Sequence, residues 1–483
     1  MRGPLPTHQK GSGSSFLLPA HSLLRYPFKC EPLAPPTFPL CDTSQISSPT
    51  TNRDPIRTSP VATLSQSVST RLLPTMAPSA LATPAAEATP LTNGVTKTVA
   101  PTSTYAELDA SKLIYERTSS PRAVPSLEAA NAGSETICTD HMVTATWSAA
   151  AGWAAPKLQP YGPLSLMPTA SVLHYATECF EGLKVYRGFD GRLRLFRPDC
   201  NAKRMVMSST RISLPAFPSA ELEKLMIALL SVDGPRWIPK SRPGTFLYLR
   251  PTMIGTQSQL GVMASREAML YIICSFMPVM DSPPGGLRLR TSPEDMVRAW
   301  AGGFGYAKVG ANYGPSLLAT KEARDEGFHQ ILWLYGPEAL CTEAGASNFF
   351  VVWKPKNGGK PQLVTAPLDD KIILDGVTRR SVLELVRERC PEIDVVERKY
   401  TIKELEEAHD EGRIIESFAA GTAYFICPIS VVNHRGKNLD APMGAAGEGG
   451  EYTLKIRQWL KDIMYGAEQD HKWAVLIPEE GEE

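Results

Sequence analysis

The composition of the chain changes sharply near residue 105, and this change limits which part of it can fold. The first 104 residues hold 16 of the 42 prolines, long Ser, Thr and Ala tracts and only four aromatic side chains. Such a segment buries too little apolar surface to offset the entropy lost on folding. We therefore predict a disordered leader over residues 1–104, followed by a folded region that extends to residue 483.

The leader is basic, since it carries eight Lys and Arg residues against four Asp and Glu residues. A basic, Ser-rich, acid-poor start is typical of a mitochondrial transit segment, which predicts a protein of the mitochondrion. Prolines interrupt every stretch of the leader that could form an amphipathic helix. This favours the alternative, in which the chain starts at Met76 and a short tail precedes a cytoplasmic protein.

Charge, apolar length and cysteine spacing each exclude a class of partner. The 50 basic residues balance the 50 acidic ones without a Lys/Arg run, so we expect no nucleic-acid binding. No apolar stretch reaches the roughly 20 residues of a membrane helix, so we expect no membrane span. The nine cysteines show neither a C-x-x-C pair nor zinc-ligand spacing, which predicts reduced thiols and no metal site.

The region after the leader predicts a mixed α/β fold. Runs of β-branched and aromatic residues alternate with stretches whose apolar residues repeat at helical spacing. The predicted strands are 245–255, 268–280, 330–336 and 348–353, and the predicted helices are 218–233, 378–389 and 452–466. A Pro/Gly cluster interrupts the pattern and predicts two α/β domains. They are a small N-terminal domain at 105–276 and a large C-terminal domain at 288–483, joined by a linker at 277–287.

Lys308 lies between a glycine-rich stretch and an Asn-Tyr-Gly turn. An amine held among apolar residues and glycines loses hydration, which favours the neutral, nucleophilic form. Local composition leaves open the alternative that Lys308 is an ordinary loop lysine. A reactive lysine predicts a carbonyl partner, and pyridoxal phosphate is the common cofactor of that kind.

That cofactor needs an acid beside its pyridine nitrogen, because a protonated ring withdraws electrons from the reacting carbon. Glu343 is the candidate, since it stands in a Thr-Glu-Ala-Gly stretch at the head of an apolar run. The alternative is a solvated glutamate in a turn.

The cofactor phosphate needs an anion site, for which three places are candidates. A helix that starts after Gly376 would present the amides of Val377 and Thr378. The small-residue turn at 421–423 would add amides and one hydroxyl group, and Arg204 would add a guanidinium. Each place has an ordinary alternative: a common helix start after glycine, a turn of small residues, or a solvated arginine.

From about residue 140 to residue 473 the chain resembles the branched-chain amino-acid aminotransferases, which are fold-type IV pyridoxal-phosphate enzymes. The lysine segment, a Thr-Glu-x-Gly acid motif and a Gly-Val-x-Arg helix start carry the resemblance, in the family's order. The matching segments are 140–147, 173–188, 248–256, 298–314, 330–348, 373–380 and 420–430. The resemblance implies two α/β domains with the cofactor at their interface. It also implies a homodimer in which the neighbouring subunit completes each site.

The resemblance further implies a role for each matching residue on the cofactor side. Lys308 would attach pyridoxal 5′-phosphate covalently and move a proton between the substrate α-carbon and the cofactor. Glu343 would keep the pyridine nitrogen protonated, and Tyr313 would hydrogen-bond the phenolic oxygen. The phosphate would be held by Arg204, the amides of Val377 and Thr378, and Thr422.

On the substrate side, the resemblance implies small-molecule partners, namely amino acids and 2-oxo acids. Three aromatic side chains would form the apolar pocket for leucine, isoleucine or valine: Tyr175, Phe180 and Tyr248. Tyr248 and the turn at Thr422 and Ala423 would bind the α-carboxylate. Arg250 would bind the second carboxylate of glutamate, and an arginine that pairs only with a dicarboxylate lets one site accept both substrate types.

Departures from the family pattern leave two alternatives open. Ala346 and Ala420 each stand where the family has a hydroxyl group, and Asp375 stands where it has proline. The enzyme alternative is a related fold-type IV aminotransferase for another hydrophobic or aromatic amino acid. The other alternative is a paralogue that binds the cofactor without catalysis, against which the retained lysine and acid argue. Where some relatives have a redox Cys-x-x-Cys, this chain has Tyr424 and Cys427, so that pair forms no thiol switch.

Overall fold

Two mixed β-sheets form the framework of the protein. The computed structural model describes residues 105–126, 128, 136–277, 282–423 and 425–480. The predicted leader at 1–104 lies outside the described residues, as do residues 278–281 of the predicted linker. The division of the folded region into two domains stays a prediction.

The first sheet contains ten strands from the N-terminal part of the folded region and the C-terminus. They are β1 (Ile114–Tyr115), β2 (Ile137–Ser148), β3 (Gly152–Trp153), β4 (Lys157–Pro160), β5 (Glu178–Phe180), β6 (Leu183–Arg187), β7 (Leu193–Phe196), β8 (Phe246–Gly255), β9 (Glu267–Phe276) and β19 (Ala474–Ile477). Their order is β1-β4-β2-β9-β8-β6-β7-β19, with β3 beside β2 and β5 beside β8. The last strand therefore returns from the far side of the predicted linker to the edge of the first sheet.

The second sheet contains nine strands. They are β10 (Leu287–Thr291), β11 (Gln330–Tyr335), β12 (Leu340–Ala344), β13 (Ser347–Trp353), β14 (Gln362–Thr365), β15 (Asp394–Glu397), β16 (Ile414–Ala420), β17 (Ile426–His434) and β18 (Lys437–Asp440). Their order is β12-β11-β10-β17-β16-β13-β14-β15, with β18 beside β17. An additional pairing of β12 with β13 closes six of the strands into a ring. This closure places Glu343 opposite Asn348.

Seven α-helices cover the sheets in the described part of the chain. They are α1 (Val172–Tyr175), α2 (Pro198–Arg211), α3 (Ser219–Trp237), α4 (Leu317–Asp325), α5 (Val377–Arg389), α6 (Ile402–Asp410) and α7 (Glu451–Tyr465). A capping box of Thr401 and Glu404 starts α6. Gly466, with φ +76°, ends α7 in the left-handed conformation that glycine adopts without strain. No helix among the described residues has the length and apolar character that a membrane span needs.

The packing of α3 shows why the apolar pattern predicts these elements. Leu222, Leu225, Met226 and Leu229 repeat at helical spacing and are all fully buried in the core beneath the first sheet. Burial of each such side chain contributes about 2 kcal/mol. The strands and helices predicted from the sequence are confirmed, with shifts of a few residues at their ends. The predicted α/β fold class is confirmed as well.

Candidate active site

One cavity, with a volume of about 910 Å³, brings most of the predicted site residues together. Eleven of the twelve predicted residues line it: Phe180, Arg204, Tyr248, Arg250, Lys308, Tyr313, Glu343, Val377, Thr378, Thr422 and Ala423. The exception is Tyr175, whose ring is exposed and whose hydroxyl donates a hydrogen bond to the Leu260 carbonyl. Within its own chain, Tyr175 therefore lies outside the cavity wall.

Hydrogen bonds fix the backbone of Lys308 on both sides. Its N–H donates to the Ser208 hydroxyl at 2.8 Å, and its carbonyl accepts from the Phe180 N–H at 3.0 Å. The amine Nζ lies 3.2 Å from the Tyr313 hydroxyl oxygen and 4.7 Å from the centre of the Phe180 ring. The side chain is half-buried. Lys308 thus enters the cavity from a rigid support, which a mobile loop lysine does not have.

The loop that carries Lys308 is held by close packing and by one buried amide. A Cβ on Gly305 would lie 2.3 Å from the Ile372 carbonyl oxygen, so glycine permits this approach. The Asn312 side chain donates to the carbonyl groups of Phe304 and Ala307 at 3.0 and 2.9 Å. These contacts explain the Gly and Asn residues on either side of the lysine.

Glu343 is only 2% exposed on β12, so it is not a solvated turn residue. Its Oε1 accepts hydrogen bonds from the Leu374 N–H at 3.1 Å and from the Asn348 amide at 3.3 Å. Its Oε2 lies 2.8 Å from Nη1 of Arg298, in an ion pair that lacks hydrogen-bond alignment. Among the described residues Oε2 has no hydrogen-bond partner. Burial raises the pKa of Glu343, and the positive charge of Arg298 opposes that rise.

The start of α5 presents backbone donors to the same cavity. Gly376 caps the helix with extended backbone and without a side-chain hydrogen bond. The amides of Val377 and Thr378 therefore have no acceptor within the helix. The Thr378 hydroxyl donates to the Gly421 carbonyl at 3.1 Å, which joins the helix start to the turn that carries Thr422. Together these groups form an anion site at a positive helix end.

Arg204 reaches this end of the cavity through a buried ion pair. Its Nε and Nη2 donate to the two carboxylate oxygens of Glu181, both at 2.7 Å. Its Nη1 donates to the Asp375 carbonyl at 2.8 Å, and Asn201 holds Glu181 from the other side at 2.8 Å. Each terminal nitrogen of arginine carries two hydrogens. The guanidinium therefore keeps donors for an anion while Glu181 fixes its orientation.

Another part of the cavity wall combines aromatic rings with one cation. Arg250 Nη2 donates to the Tyr248 hydroxyl at 3.0 Å, and the guanidinium carbon lies 4.7 Å from the centre of the Phe180 ring. The buried Nε of Arg250 has no hydrogen-bond partner among the described residues. A Cβ on Gly182 would lie 2.0 Å from the Tyr248 hydroxyl oxygen, so glycine makes room for that phenol.

These groups fit pyridoxal phosphate with an amino acid beside it. Glu343 Oε2, which has no hydrogen-bond partner among the described residues, suits a ring N–H. The free backbone amides at the start of α5 suit a phosphate, and the amine of Lys308 lines the same cavity. A volume of about 910 Å³ lies at the upper end of the usual range for ligand sites.

Residues 178–431 match the model of the family described as Amino-transferase class IV. The chain is 46% identical over 340 residues to the mitochondrial branched-chain-amino-acid aminotransferase of Schizosaccharomyces pombe, a match that covers 70% of this chain and 78% of the relative. It is 42% identical over 342 residues to the cytosolic branched-chain-amino-acid aminotransferase of Saccharomyces cerevisiae, covering 70% and 90%. The chain belongs to the branched-chain-amino-acid aminotransferase family.

The fold of this aminotransferase agrees with that of solved members. The PLP form of the branched-chain amino acid aminotransferase from Thermobaculum terrenum aligns with a TM-score of 0.54 at 22% identity, covering 70% of this chain and 98% of that one. The resemblance inferred from the sequence, including fold-type IV, is confirmed. Because relatives include mitochondrial and cytosolic forms, membership of the family leaves the compartment open.

The departures of this aminotransferase from the family pattern have different positions in the structure. Ala346 and Ala420 line the cavity, so the missing hydroxyl groups change its surface directly. The carboxylate of Asp375 instead pairs with Arg380, while only its carbonyl takes part in the site. Cys427 is buried on β17, and Tyr424 lies outside the described residues.

Three polar residues that hold the site of this aminotransferase carry no recognisable motif in the sequence. Glu181 orients Arg204, Arg298 faces Glu343, and Ser208 fixes the backbone of Lys308. Glu181 stands in a stretch that also holds Glu178, Lys184 and Arg187, so the local pattern does not distinguish it. The other two act across long separations in sequence, which local patterns do not report.

Replacement of Glu343 by Gln is expected to change how cofactor affinity depends on pH. Burial raises the pKa of Glu343, so the carboxylate, and the attraction it gives a protonated ring nitrogen, is lost as pH falls through that raised value. Titration of the apoprotein with pyridoxal phosphate, followed by tryptophan fluorescence, should show weaker binding at acidic pH in the wild type. In Glu343→Gln the binding should be about tenfold weaker at neutral pH, with this acid limb absent.

The variant Arg298→Met provides the matched comparison. Arg298 lowers the pKa of Glu343 against the effect of burial, so its removal should move the acid limb to higher pH. Identical pH profiles for the wild type, Glu343→Gln and Arg298→Met would contradict the role given to this pair.

Proposed function

We propose that this protein transfers the amino group of leucine, isoleucine or valine to 2-oxoglutarate, with pyridoxal 5′-phosphate bound at Lys308. The observation that carries the proposal is one cavity lined by Lys308, by the buried Glu343, whose Oε2 has no hydrogen-bond partner among the described residues, and by the Arg250 guanidinium beside the Phe180 ring. Membership of the branched-chain-amino-acid aminotransferases supports it. The products would be the branched 2-oxo acid and glutamate.

The residues that would hold the cofactor lie at three points of the cavity wall. Glu343 would accept a hydrogen bond from the pyridine nitrogen, and Tyr313 would bind the phenolic oxygen. The phosphate would be held by Arg204, the amides of Val377 and Thr378, and Thr422. When bound, pyridoxal phosphate supplies an aldehyde that takes up the amino group and a ring that accepts electrons from the α-carbon.

Lys308 is the residue placed to move the proton of the reaction. Its amine would remove the proton from the substrate α-carbon as a general base and return one as a general acid. The hydroxyl of Tyr313, 3.2 Å from Nζ, would orient the amine toward the reacting atoms. The fixed backbone of Lys308 reduces the entropy lost in reaching that geometry.

The substrate would lie against the aromatic end of the cavity. Phe180 and Tyr248 would pack on the branched side chain, and the turn at Thr422 and Ala423 would bind the α-carboxylate together with Tyr248. Arg250 would pair with the second carboxylate when 2-oxoglutarate or glutamate replaces the branched substrate.

A panel of leucine, isoleucine, valine, phenylalanine and methionine under single-turnover conditions would rank the side chains. A preference for phenylalanine would contradict branched-chain specificity.

Lys308→Ala is expected to abolish transamination, because among the described residues Lys308 is the one lysine that lines the cavity. Turnover of leucine with 2-oxoglutarate should fall at least about a thousand-fold. Borohydride reduction of the loaded wild type should leave the cofactor mass on the peptide that contains residue 308, and the variant should keep none. Lys203→Ala, at an exposed lysine of α2, serves as the control and should behave as the wild type. Cofactor trapped on a different lysine would refute the assignment.

Arg250→Met is expected to impair the dicarboxylate substrates selectively, because only they carry a second carboxylate to pair with the guanidinium. The kcat/KM for 2-oxoglutarate should fall about a hundredfold, while that for leucine should stay within about threefold. Arg192→Met, at an exposed arginine in the turn between β6 and β7, is the control. Equal losses for both substrates would reject recognition by Arg250.

We also propose a homodimer, in which Tyr175 meets the cavity of the neighbouring subunit. Four apolar side chains in two nearby segments are more than half exposed: Leu173, Leu260, Val262 and Met263. Exposed apolar residues that cluster in this way are typical of an interface. Light scattering should give twice the mass of the chain, and Val262→Asp should give an inactive monomer. An active monomer would overturn the dimer and the role of Tyr175 together.

For the compartment, we propose that residues 1–104 direct the protein to mitochondria. Their excess of basic over acidic residues, eight against four, supports this. A fluorescent protein fused after residue 104 should enter mitochondria, whereas the same fusion started at Met76 should remain in the cytoplasm. Cytoplasmic location of both fusions would contradict the proposal.

A further inference from the structure

Arg250 places a positive charge in a cavity that must also accept an apolar side chain. Its guanidinium lies over the rings of Phe180 and Tyr248, 4.7 and 5.2 Å from their centres. Its Nε is buried without a hydrogen-bond partner among the described residues. When leucine occupies the cavity, its apolar side chain brings no second carboxylate to this cation, and the surrounding protein has to compensate for the remaining positive charge.

Glu178 lies on the same face of the first sheet as Arg250. Phe180 pairs with Thr252 between strands β5 and β8, so Glu178 and Arg250 are each two residues from that pair and point to the same side. Glu178 and Arg250 therefore flank the Phe180 ring. The carboxylate of Glu178 is half-buried.

The loop that carries Lys308 is shaped to receive the carboxylate of Glu178. A Cβ on Gly310 would lie 1.8 Å from Oε1 of Glu178, so a larger residue here would displace the carboxylate from its position. Glycine at this position lets the carboxylate rest against the backbone two residues after the lysine. The side chain of Glu178 thus lies between the loop that carries Lys308 and strands β5 and β8.

The positive charge of Arg250 acts on the carboxylate of Glu178. Burial raises the pKa of Glu178, and the charge of Arg250 acts against that rise. Tyr271, which is in register with Thr252, responds to both charges. Burial raises the pKa of Tyr271 most, and a hydrogen bond from Thr252 lowers it. Of the two charged groups, Glu178 raises the pKa of Tyr271 and Arg250 lowers it. The two charges therefore act on one neighbourhood with opposite sign.

We propose that Glu178 is a specificity-determining residue that weakens the attraction of Arg250 for a second carboxylate. With an apolar side chain in the cavity, Glu178 offsets the positive potential of the guanidinium. With a dicarboxylate in the cavity, it repels the incoming charge. Glu178 thereby sets the ratio of branched-chain to dicarboxylate recognition, and this deepens the proposed function on which it rests.

Glu178→Gln removes the charge and keeps the shape of the side chain, so it isolates this effect. The ligands are glutarate and 4-methylpentanoate, which lack a transferable amino or oxo group and therefore report binding without turnover. Calorimetry with the holoprotein should show glutarate binding about fivefold tighter in the variant, with 4-methylpentanoate unchanged within about twofold. Glu178→Asp should retain the wild-type ratio. Glu267→Gln, at an exposed glutamate of the neighbouring strand β9, is the matched control and should also retain it.

Two outcomes of this binding experiment would overturn the proposal. One is an unchanged ratio in Glu178→Gln, and the other is an equal shift for both ligands, which would indicate a general change of the cavity. The same substitution in an Arg250→Met background should leave the ratio where Arg250→Met alone puts it, because the charge that Glu178 offsets is then missing. A fivefold shift of the binding ratio that persists in the Arg250→Met background would also overturn the proposal.

Turnover separates this proposal from the proposed function. In Glu178→Gln the KM for 2-oxoglutarate should fall relative to that for 4-methyl-2-oxopentanoate, with kcat retained. If the wild type transfers amino groups between leucine and 2-oxoglutarate but the variant keeps the wild-type KM ratio, only the role of Glu178 is refuted. If the wild type itself shows no such transfer, the proposed function fails and the role of Glu178 fails with it.

Discussion

The buried ion pair of Arg204 and Glu181 holds the two ends of the cavity in place. Glu181 follows β5 of the first sheet, and Arg204 lies on α2, yet the same guanidinium also donates to the carbonyl of Asp375 just before α5. Loss of one partner would leave a buried charge uncompensated, at a cost of about 3–5 kcal/mol. The interaction therefore ties the start of α5 to the end of strand β5, which carries Phe180.

The same principle governs the other charged groups of the site. Glu343 is buried opposite Arg298, and the backbone of Lys308 is held by Ser208 and by the neighbouring strand. Groups that are fixed before a ligand arrives do not have to reorganise during the reaction, and their charges act strongly because water is excluded. The carboxylate of Glu343 is an example of such a fixed group. Its buried Oε2 forms an ion pair with Arg298, but it has no hydrogen-bond partner among the described residues.

Much of the site could be predicted because its chemistry is carried by short motifs. Lys308, Glu343 and the helix start after Gly376 each lie in a local pattern, and all of them line one cavity. Tyr175 shows the limit of this approach, because its motif indicates a substrate residue while its ring lies outside the cavity of its own chain. A motif predicts which residue belongs to a site, but it does not predict where the fold places that residue.

The sequence by itself determined the α/β class and the alternation of strands and helices, and it pointed to Lys308 and Glu343 as candidate site residues. This was possible because apolar periodicity, glycine positions and helix-start signals each depend on only a few neighbouring residues. Only the tertiary structure decided that Arg298 faces Glu343, that Glu181 holds Arg204, and that Gly310 admits the carboxylate of Glu178. These contacts join residues that are distant along the chain, and their energies depend on burial and distance, which arise only when the sheets close around the cavity.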